Sequence, residues 1–294
     1  MNLRERVDYS AVVDRPPLKL PAGARVAVWP IVTVEVWPPD HPLPRTILTP
    51  PGGKQFVPDV PNWTWAEYGM RVGFWRIKDA LDRLGIRPTL SLNGAVIETY
   101  PRVARAGLEA GWEFMAHSFV QVPMHLLEDE RAAIRRTVET LRAFTGRTPR
   151  GWMGPGLTET EHTLDHLAAE GIEYVADWVL DDQPCALRTA SGPLYAIPYS
   201  VELNDIPIML LQSHRSSELY DRAMGHFECL YAEGEESARI MAVAVHPYIH
   251  GVPHRIGHYA RLFQELASRP GVLFWTGEQV LDWYLAERAP GGAP

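Results

Sequence analysis

The sequence predicts an α/β protein with a parallel sheet, closing as a barrel of about seven strand–helix units. Three observations lead there. Val-rich apolar runs alternate with helical stretches from residue 25 almost to the end. No shift in composition divides the 294 residues, and a single α/β barrel commonly reaches this size. Short polar motifs also end several apolar runs: Glu35 in TVEVW, His117 in EFMAHS, Arg150 in RGWMGP, Asp177-Trp178 in YVADW and His246 in VAVHP. Parallel strands point their carboxyl ends to one side, so such residues can share a pocket. An open doubly wound sheet is the alternative. No GxGxxG follows the first strand and there is no P-loop, which weakens any nucleotide-binding version.

Residues 25–37 (RVAVWPIVTVEVW) alternate and are rich in Val, so they read as a strand. Residues 38–61 hold a cluster of prolines, which excludes helix and central strand. Ile47, Leu48, Phe56 and Val57 make that segment too apolar for a disordered linker. It reads either as a loop over the site or against a neighbouring subunit, or as a plain surface loop. Tyr68, Val72, Trp75, Ile77, Leu81 and Leu84 are spaced for a helix over 64–84, stopped by Gly85. A strand at 87–92, a helix over about 94–109 and a strand at 112–117 follow. The stretch 128–145 has an acidic first turn and Gly146 at its end, a strong amphipathic helix. Then come a strand at 149–155, a helix begun by Thr158 or Thr160 and stopped at Gly171, and a strand at 173–179. Residues 193–199 and 206–212 read as short extended pieces. A helix at 216–233 leads to the most apolar strand, 238–246. A helix at about 256–268, a strand at 272–275 and a helix at 277–287 complete the chain. The barrel core spans about 25–285 of a single domain, and a flexible tail is expected over 288–294.

The net charge is −8 and the pI near 5.8, so nucleic acid is not an expected partner. No run approaches the ~20 apolar residues of a membrane span. The N-terminus MNLRERVDYSAVV lacks an apolar h-region, so no secretory signal is expected. Cys185 and Cys229 do not form a disulfide framework. Together these point to a reduced, cytoplasmic setting and a small-molecule substrate.

Glu35 interrupts an apolar strand. An ionised carboxylate in a core is costly, so it is a buried ion pair, a solvent-facing strand end, or a catalytic base tuned by burial. His117 ends a strand, with Gln121 and His125 following at spacings of four and Pro123 interrupting. An H-x3-H pair would suggest a metal site, but the fourth position is Gln, a poor ligand for zinc-like ions. His246, His250, His254 and His258 recur every four residues. Pro247, Gly251 and Pro253 preclude one regular helix, so only His246 is taken as a site residue and the others as loop or surface residues. There is no GxSxG elbow, so a serine triad is unsupported.

Taken together, the motifs resemble the polysaccharide deacetylase family over roughly residues 25–285. The resemblance implies a distorted (β/α) barrel and places the family's five motifs on Glu35, His117 with Gln121, Arg150-Gly151-Trp152, Asp177-Trp178 and His246-Pro247. EYGMRVGFWR (67–76), LNG (92–94), PYSVELND (198–205) and HPYIHGVPHR (246–255) are similar to a branch with metal-independent allantoinases and cyclic-imide hydrolases. The chain departs from secreted members in having one Glu in place of two Asp in the first motif, and Gln121 for the second histidine. That favours a metal-free site. The resemblance implies hydrolysis of a carbon–nitrogen bond in a small cyclic ureide or imide. Glu35 would be the base, His246 the acid or oxyanion donor, Arg150 an oxyanion donor and His117 the orienting group, while Asp177, an acid beside the aromatic Trp178, can orient a base and wall the pocket or belong to a solvated acidic loop. Tyr68, Arg71, Asn93, Trp152, Trp178 and Asn204 would line the pocket. Two rivals remain: an N-deacetylase using a divalent ion such as zinc on Glu35, His117 and Gln121, and a decayed barrel that only binds ligand. The resemblance implies a homo-oligomer such as a tetramer.

Overall fold

A curled sheet of mostly parallel strands, backed by helices, forms an incompletely closed barrel. The computed structural model describes residues 2–288. Along the chain, helix α1 (Leu3–Arg6) precedes strand β1 (Val26–Val34). A long helical segment follows, built from α2 (Val60–Tyr68), a π-helical turn (Gly69–Gly73) and α3 (Phe74–Asp82). Then come β2 (Thr89–Leu92), α4 (Val96–Thr99), α5 (Pro101–Glu109), β3 (Glu113–Ala116) and α6 (Glu130–Thr145). Next are β4 (Gly151–Trp152), α7 (Thr163–Ala169), β5 (Tyr174–Val175), β6 (Cys185–Leu187) and β7 (Leu194–Ala196). The last third holds α8 (Glu218–Glu233), β8 (Arg239–Val245), α9 (Pro247–His250), α10 (Pro253–Ser268), β9 (Val272–Phe274) and α11 (Gly277–Arg288). Of the expected 288–294 tail, Arg288 ends α11 and the rest lies outside the described residues.

The strands run in the order β6-β7-β5-β4-β3-β2-β1-β8, with β9 also on β1. All pairs are parallel except β6–β7. Nine strands are described where about seven were expected: β7 lies within the extended piece read at 193–199, and β6, antiparallel to it, is the addition that the alternation did not reveal. The gap beside β8 is spanned by irregular chain: Ile240 N donates to the Asp182 carbonyl, and Asn204 bridges to Ala244. The apolar run at 206–212, read as extended, is instead a π-helical turn over Ile206–Leu211. A short apolar run fits a buried strand or a buried helix equally well, and periodicity alone does not separate them.

Side chains alternate across the sheet, and this sorts the core into two layers. On β1, Val26, Val28, Val32 and Val34 face the helices, packing with Phe74, Ile77, Leu81 and Tyr259. Ala27, Trp29 and Ile31 point into the barrel, where they meet Met115, Met153, Tyr174, Ile197, Ala242 and Ala244. At the amino end of the strands this interior is plugged. Glu113 is buried there and accepts from Tyr174 Oη (2.6 Å), Gly277 N (2.8 Å) and Glu278 N (3.1 Å), capping α11 from outside the helix. At the carboxyl end the same interior stays open.

Candidate active site

Glu35 continues the inward series Ala27, Trp29, Ile31, Thr33, so period-two geometry carries its carboxylate into the barrel mouth. The β1–β2–β3 register pairs Val34 with Leu92 and Leu92 with Ala116. One residue further, Glu35, Asn93 and His117 stand level. On β8, Ala242 and Ala244 face inward, and His246 follows two residues later.

The chain beyond each strand is held by a small polar network. Asn93 Oδ1 accepts from Val36 N (2.9 Å), and Asn93 Nδ2 donates to the His117 carbonyl and to Gln121 Oε1 (3.1 Å). Because the first two partners are backbone groups of fixed polarity, the Asn93 amide has one orientation. That in turn fixes Gln121: its carbonyl faces Asn93, and its NH2 is left for the cavity. Ser118 has φ 57°, a sparsely populated region for serine. The chain turns there, and Gly94 N and Ala95 N bond the Ser118 and Phe119 carbonyls (both 2.9 Å).

At the centre, Glu35 Oε1 is faced by His246 Nε2 at 3.4 Å and His117 Nε2 at 3.8 Å. Glu35 Oε2 accepts from Trp37 Nε1 (3.0 Å) and Tyr248 Oη (3.4 Å). His117 Nδ1 bonds the Met153 carbonyl, so as a neutral ring its Nε2 carries the lone pair. That nitrogen is buried without a hydrogen-bond partner among the described residues. His246 Nδ1 donates to Asp205 Oδ1 (2.6 Å), while Asp205 Oδ2 accepts from His246 N (2.8 Å) and His250 Nδ1 (2.8 Å).

The electrostatics follow. Burial alone would raise the Glu35 carboxyl, but it is held below the usual carboxylate range, with the facing charge of His246 first among the opposing effects. Burial alone would lower His246, but Asp205 and Glu35 push it up to about 10. Asp205 is likewise held down by His246 and His250 against its burial. The resting pair at neutral pH is a carboxylate beside an imidazolium. The cavity above it, about 160 Å³, is lined among others by Glu35, Arg45, His117, Gln121, Tyr199 and His246. Tyr199 Oη accepts from Asn204 Nδ2 (2.6 Å), leaving its own proton free to donate.

Several expected positions lie elsewhere. Arg150 precedes β4 and bonds Glu173 (2.9 Å) and Asp282 (2.8 Å) at the amino end of the sheet, away from Glu35. By alternation, Arg150 and Trp152 share the outward face, and Trp152 is buried against the helices. Asp177 falls outward of inward-facing Tyr174 and Ala176. Both its oxygens accept from Gly154 N (2.8 and 3.0 Å), and burial, then the Glu159 carboxyl, raise its pKa well above normal. Trp178 Nε1 donates to Glu159 Oε2 (2.9 Å), and this group borders a separate surface cavity of about 1100 Å³. Asn93 is buried and positions the network instead of lining the cavity. Tyr68 Oη contacts Arg76, Arg71 is exposed, and neither lines the cavity around Glu35. Asn204 does line it.

The segment 67–76 contributes through its glycines. A Cβ on Gly73 would lie 2.1 Å from the Pro247 carbonyl oxygen, and one on Gly69 would lie 2.6 Å from Tyr248 N. Only glycine lets the π-helical turn approach α9, which carries Tyr248 and His250. His250, read as a loop or surface residue, is fully buried on α9. Asp205, Tyr248, Trp37 and Tyr199 were missed as well. Asp205 stands next to the chosen Asn204, and a fixed H-x3-H spacing marked His250; neither signal separates a buried polar residue from an exposed one.

Comparison with known proteins places this geometry. Residues 65–175 match the polysaccharide deacetylase family model. A polysaccharide deacetylase-like protein of Schizosaccharomyces pombe is 29% identical over 243 residues, covering 75% of each chain. The fold is similar to that of a probable polysaccharide deacetylase of Pseudomonas aeruginosa (TM-score 0.84, 23% identity, 94% of this chain and 96% of that one). It is equally similar to Puue allantoinase (TM-score 0.84, 22% identity, 97% of this chain and all, 100%, of that one).

Proposed function

We propose that this chain, which carries a polysaccharide deacetylase domain, is a non-peptide C–N hydrolase that opens a small cyclic ureide or imide without a metal ion. The observation that carries the reading is the arrangement at Glu35. One carboxylate oxygen is pinned by Trp37 and Tyr248, while the other faces two imidazoles in a cavity of small-molecule size.

Glu35 Oε1 and the His117 Nε2 lone pair are both acceptors. A water between them donates to each and is held for attack, with Glu35 taking the proton. The His246 imidazolium, fixed by Asp205 on its far side, gives its Nε2 proton to the leaving nitrogen. Charge developing on the carbonyl oxygen needs donors. The Gln121 NH2 and the Tyr199 hydroxyl supply them, in place of the remote Arg150.

The donor set fits a resident zinc-like ion poorly. Gln121, which stands where a second histidine ligand would be expected, presents hydrogens to the cavity and turns its carbonyl to Asn93. A metal-dependent N-deacetylase is the second reading: His246 Nε2 and His117 Nε2 stand 3.4 and 3.8 Å from Glu35 Oε1, although among the described residues no group of three or more His, Cys, Asp or Glu is arranged to hold a metal ion. The chain is taken to act in the cytoplasm; no helix among the described residues is long and apolar enough to cross a membrane. It is taken to form a homo-oligomer that covers the exposed Ile47, Leu48, Phe56 and Val57, which light scattering tests.

The deciding experiment is a hydrolysis screen on protein purified without added metal. It compares allantoin, dihydropyrimidines, succinimide, hydantoins and N-acetylglucosamine oligomers, with Glu35→Gln as control. Turnover of a cyclic amide that Glu35→Gln abolishes supports the proposal. Deacetylation that needs stoichiometric metal reverses the ranking.

A further inference from the structure

Among the described residues, Arg45 at the mouth of the cavity is a guanidinium without a partner. It is half-buried, lies within the proline-rich 38–61 loop, and lines the same cavity as Glu35, His117 and His246. The loop does not leave it free to swing. Leu43 is buried two residues before it, and two residues after it Ile47 N and Leu48 N donate to Asn62 Oδ1 (2.9 and 3.0 Å). Asn62 is itself buried and fixed by Asp59 (2.9 Å). Among the described residues no carboxylate or carbonyl accepts from Arg45. The nearby His41, by contrast, pairs with Asp40.

The two carboxylates of the centre are already committed: Glu35 to Trp37, Tyr248 and the imidazoles, Asp205 to His246 and His250. Because Arg45 lines the cavity together with Glu35, His117 and His246, its guanidinium opens onto the space the reacting groups face. A planar, always-charged fork of donors with nothing to bind is matched by a planar anion.

We propose that Arg45 is a carboxylate-binding residue of the active site, selecting ligands whose carboxylate reaches the cavity mouth. The proposal rests on the C–N hydrolase reading, whose chemistry generates such a group. Water adds its oxygen to the ring carbonyl carbon and the C–N bond breaks. The nitrogen departs with a proton, and the carbonyl carbon becomes a carboxylic acid that ionises at neutral pH. The ring-opened acid is therefore the ligand Arg45 holds most tightly.

The test is calorimetric titration of succinamate and of its uncharged analogue succinamide into the full chain, wild type and the variants Arg45→Gln and Arg45→Lys. Thermal melts check that the variants, altered at a loop position, stay folded. A charge-assisted pair makes wild type favour the acid by on the order of tenfold to a hundredfold. Arg45→Gln loses that preference, Arg45→Lys keeps part of it, and binding of the amide is unchanged in both. Equal binding of acid and amide by wild type, no binding of either, or a preference that survives in Arg45→Gln overturns the proposal. The functional reading fails separately: it falls if the acid is bound through Arg45 yet the chain cleaves no cyclic C–N bond.

Discussion

Replacing Asp205 with asparagine withdraws a full negative charge from behind His246 while keeping its shape. Asp205 is wholly buried and accepts three hydrogen bonds, two from His246 and one from His250. An asparagine amide has one acceptor oxygen, so at least one of these donors is left facing an NH2. The rise of His246 from 6.5 to about 10 corresponds to roughly 5 kcal/mol of preference for the imidazolium, shared between Asp205 and Glu35. Losing about half of it lowers the His246 pKa by on the order of one to two pH units. If His246 is the acid, the alkaline limb of kcat moves down by that amount, and kcat at its optimum falls by ~10²–10⁴. Stability carries a matching sign. A raised folded pKa contributes stability that is complete below the unfolded value of about 6.5 and is lost as pH rises through about 10. The melting temperature of wild type therefore declines across that window, and that of Asp205→Asn declines less. The assays are a pH–rate series and melts over the same range, with NMR titration of His246. An alkaline limb unmoved by Asp205→Asn refutes the idea that this carboxylate sets the acid.

Glu35→Gln lowers kcat by ~10²–10⁴ and leaves the circular dichroism spectrum unchanged; near-wild-type kcat on the true substrate would remove Glu35 as base. Arg150→Ala leaves kcat/KM unaltered, because its partners Glu173 and Asp282 belong to the amino end of the sheet; a hundredfold loss of activity would restore it to the site. Gly73→Ala pushes a methyl group into the Pro247 carbonyl, costing about 1–3 kcal/mol in urea denaturation and lowering activity by displacing Tyr248 and His250. Prolonged chelation followed by elemental analysis leaves turnover intact in metal-free protein; activity restored only by an added divalent ion contradicts the donor orientation read at Gln121.

Much of the fold was legible because the burial pattern repeats. The alternation of β1 is local, and so is the amphipathic spacing of α6, with Asp129 as its N-cap and left-handed Gly146 at its end. The motif ends Glu35, His117 and His246 were legible for the same reason: each follows an apolar run, and parallel strands gather their ends. The strands read at 149–155 and 173–179 were in place as β4 and β5 but shorter than expected. Each keeps only two paired residues, and a two-residue strand leaves little pattern.

The amino-acid order alone thus determined that polar groups would meet at the carboxyl ends of a parallel sheet, since that depends only on period and strand direction. Which of those groups share the cavity was decided by tertiary structure. A period of two says that residues alternate but not which parity faces inward. Glu35, His117 and His246 fell inside, whereas Arg150, Trp152 and Asp177 fell outside. Partners brought by irregular chain escaped notice for a related reason. Asp205 and His250 acquire their roles through packing against elements distant along the chain, and no local spacing records a contact of that kind.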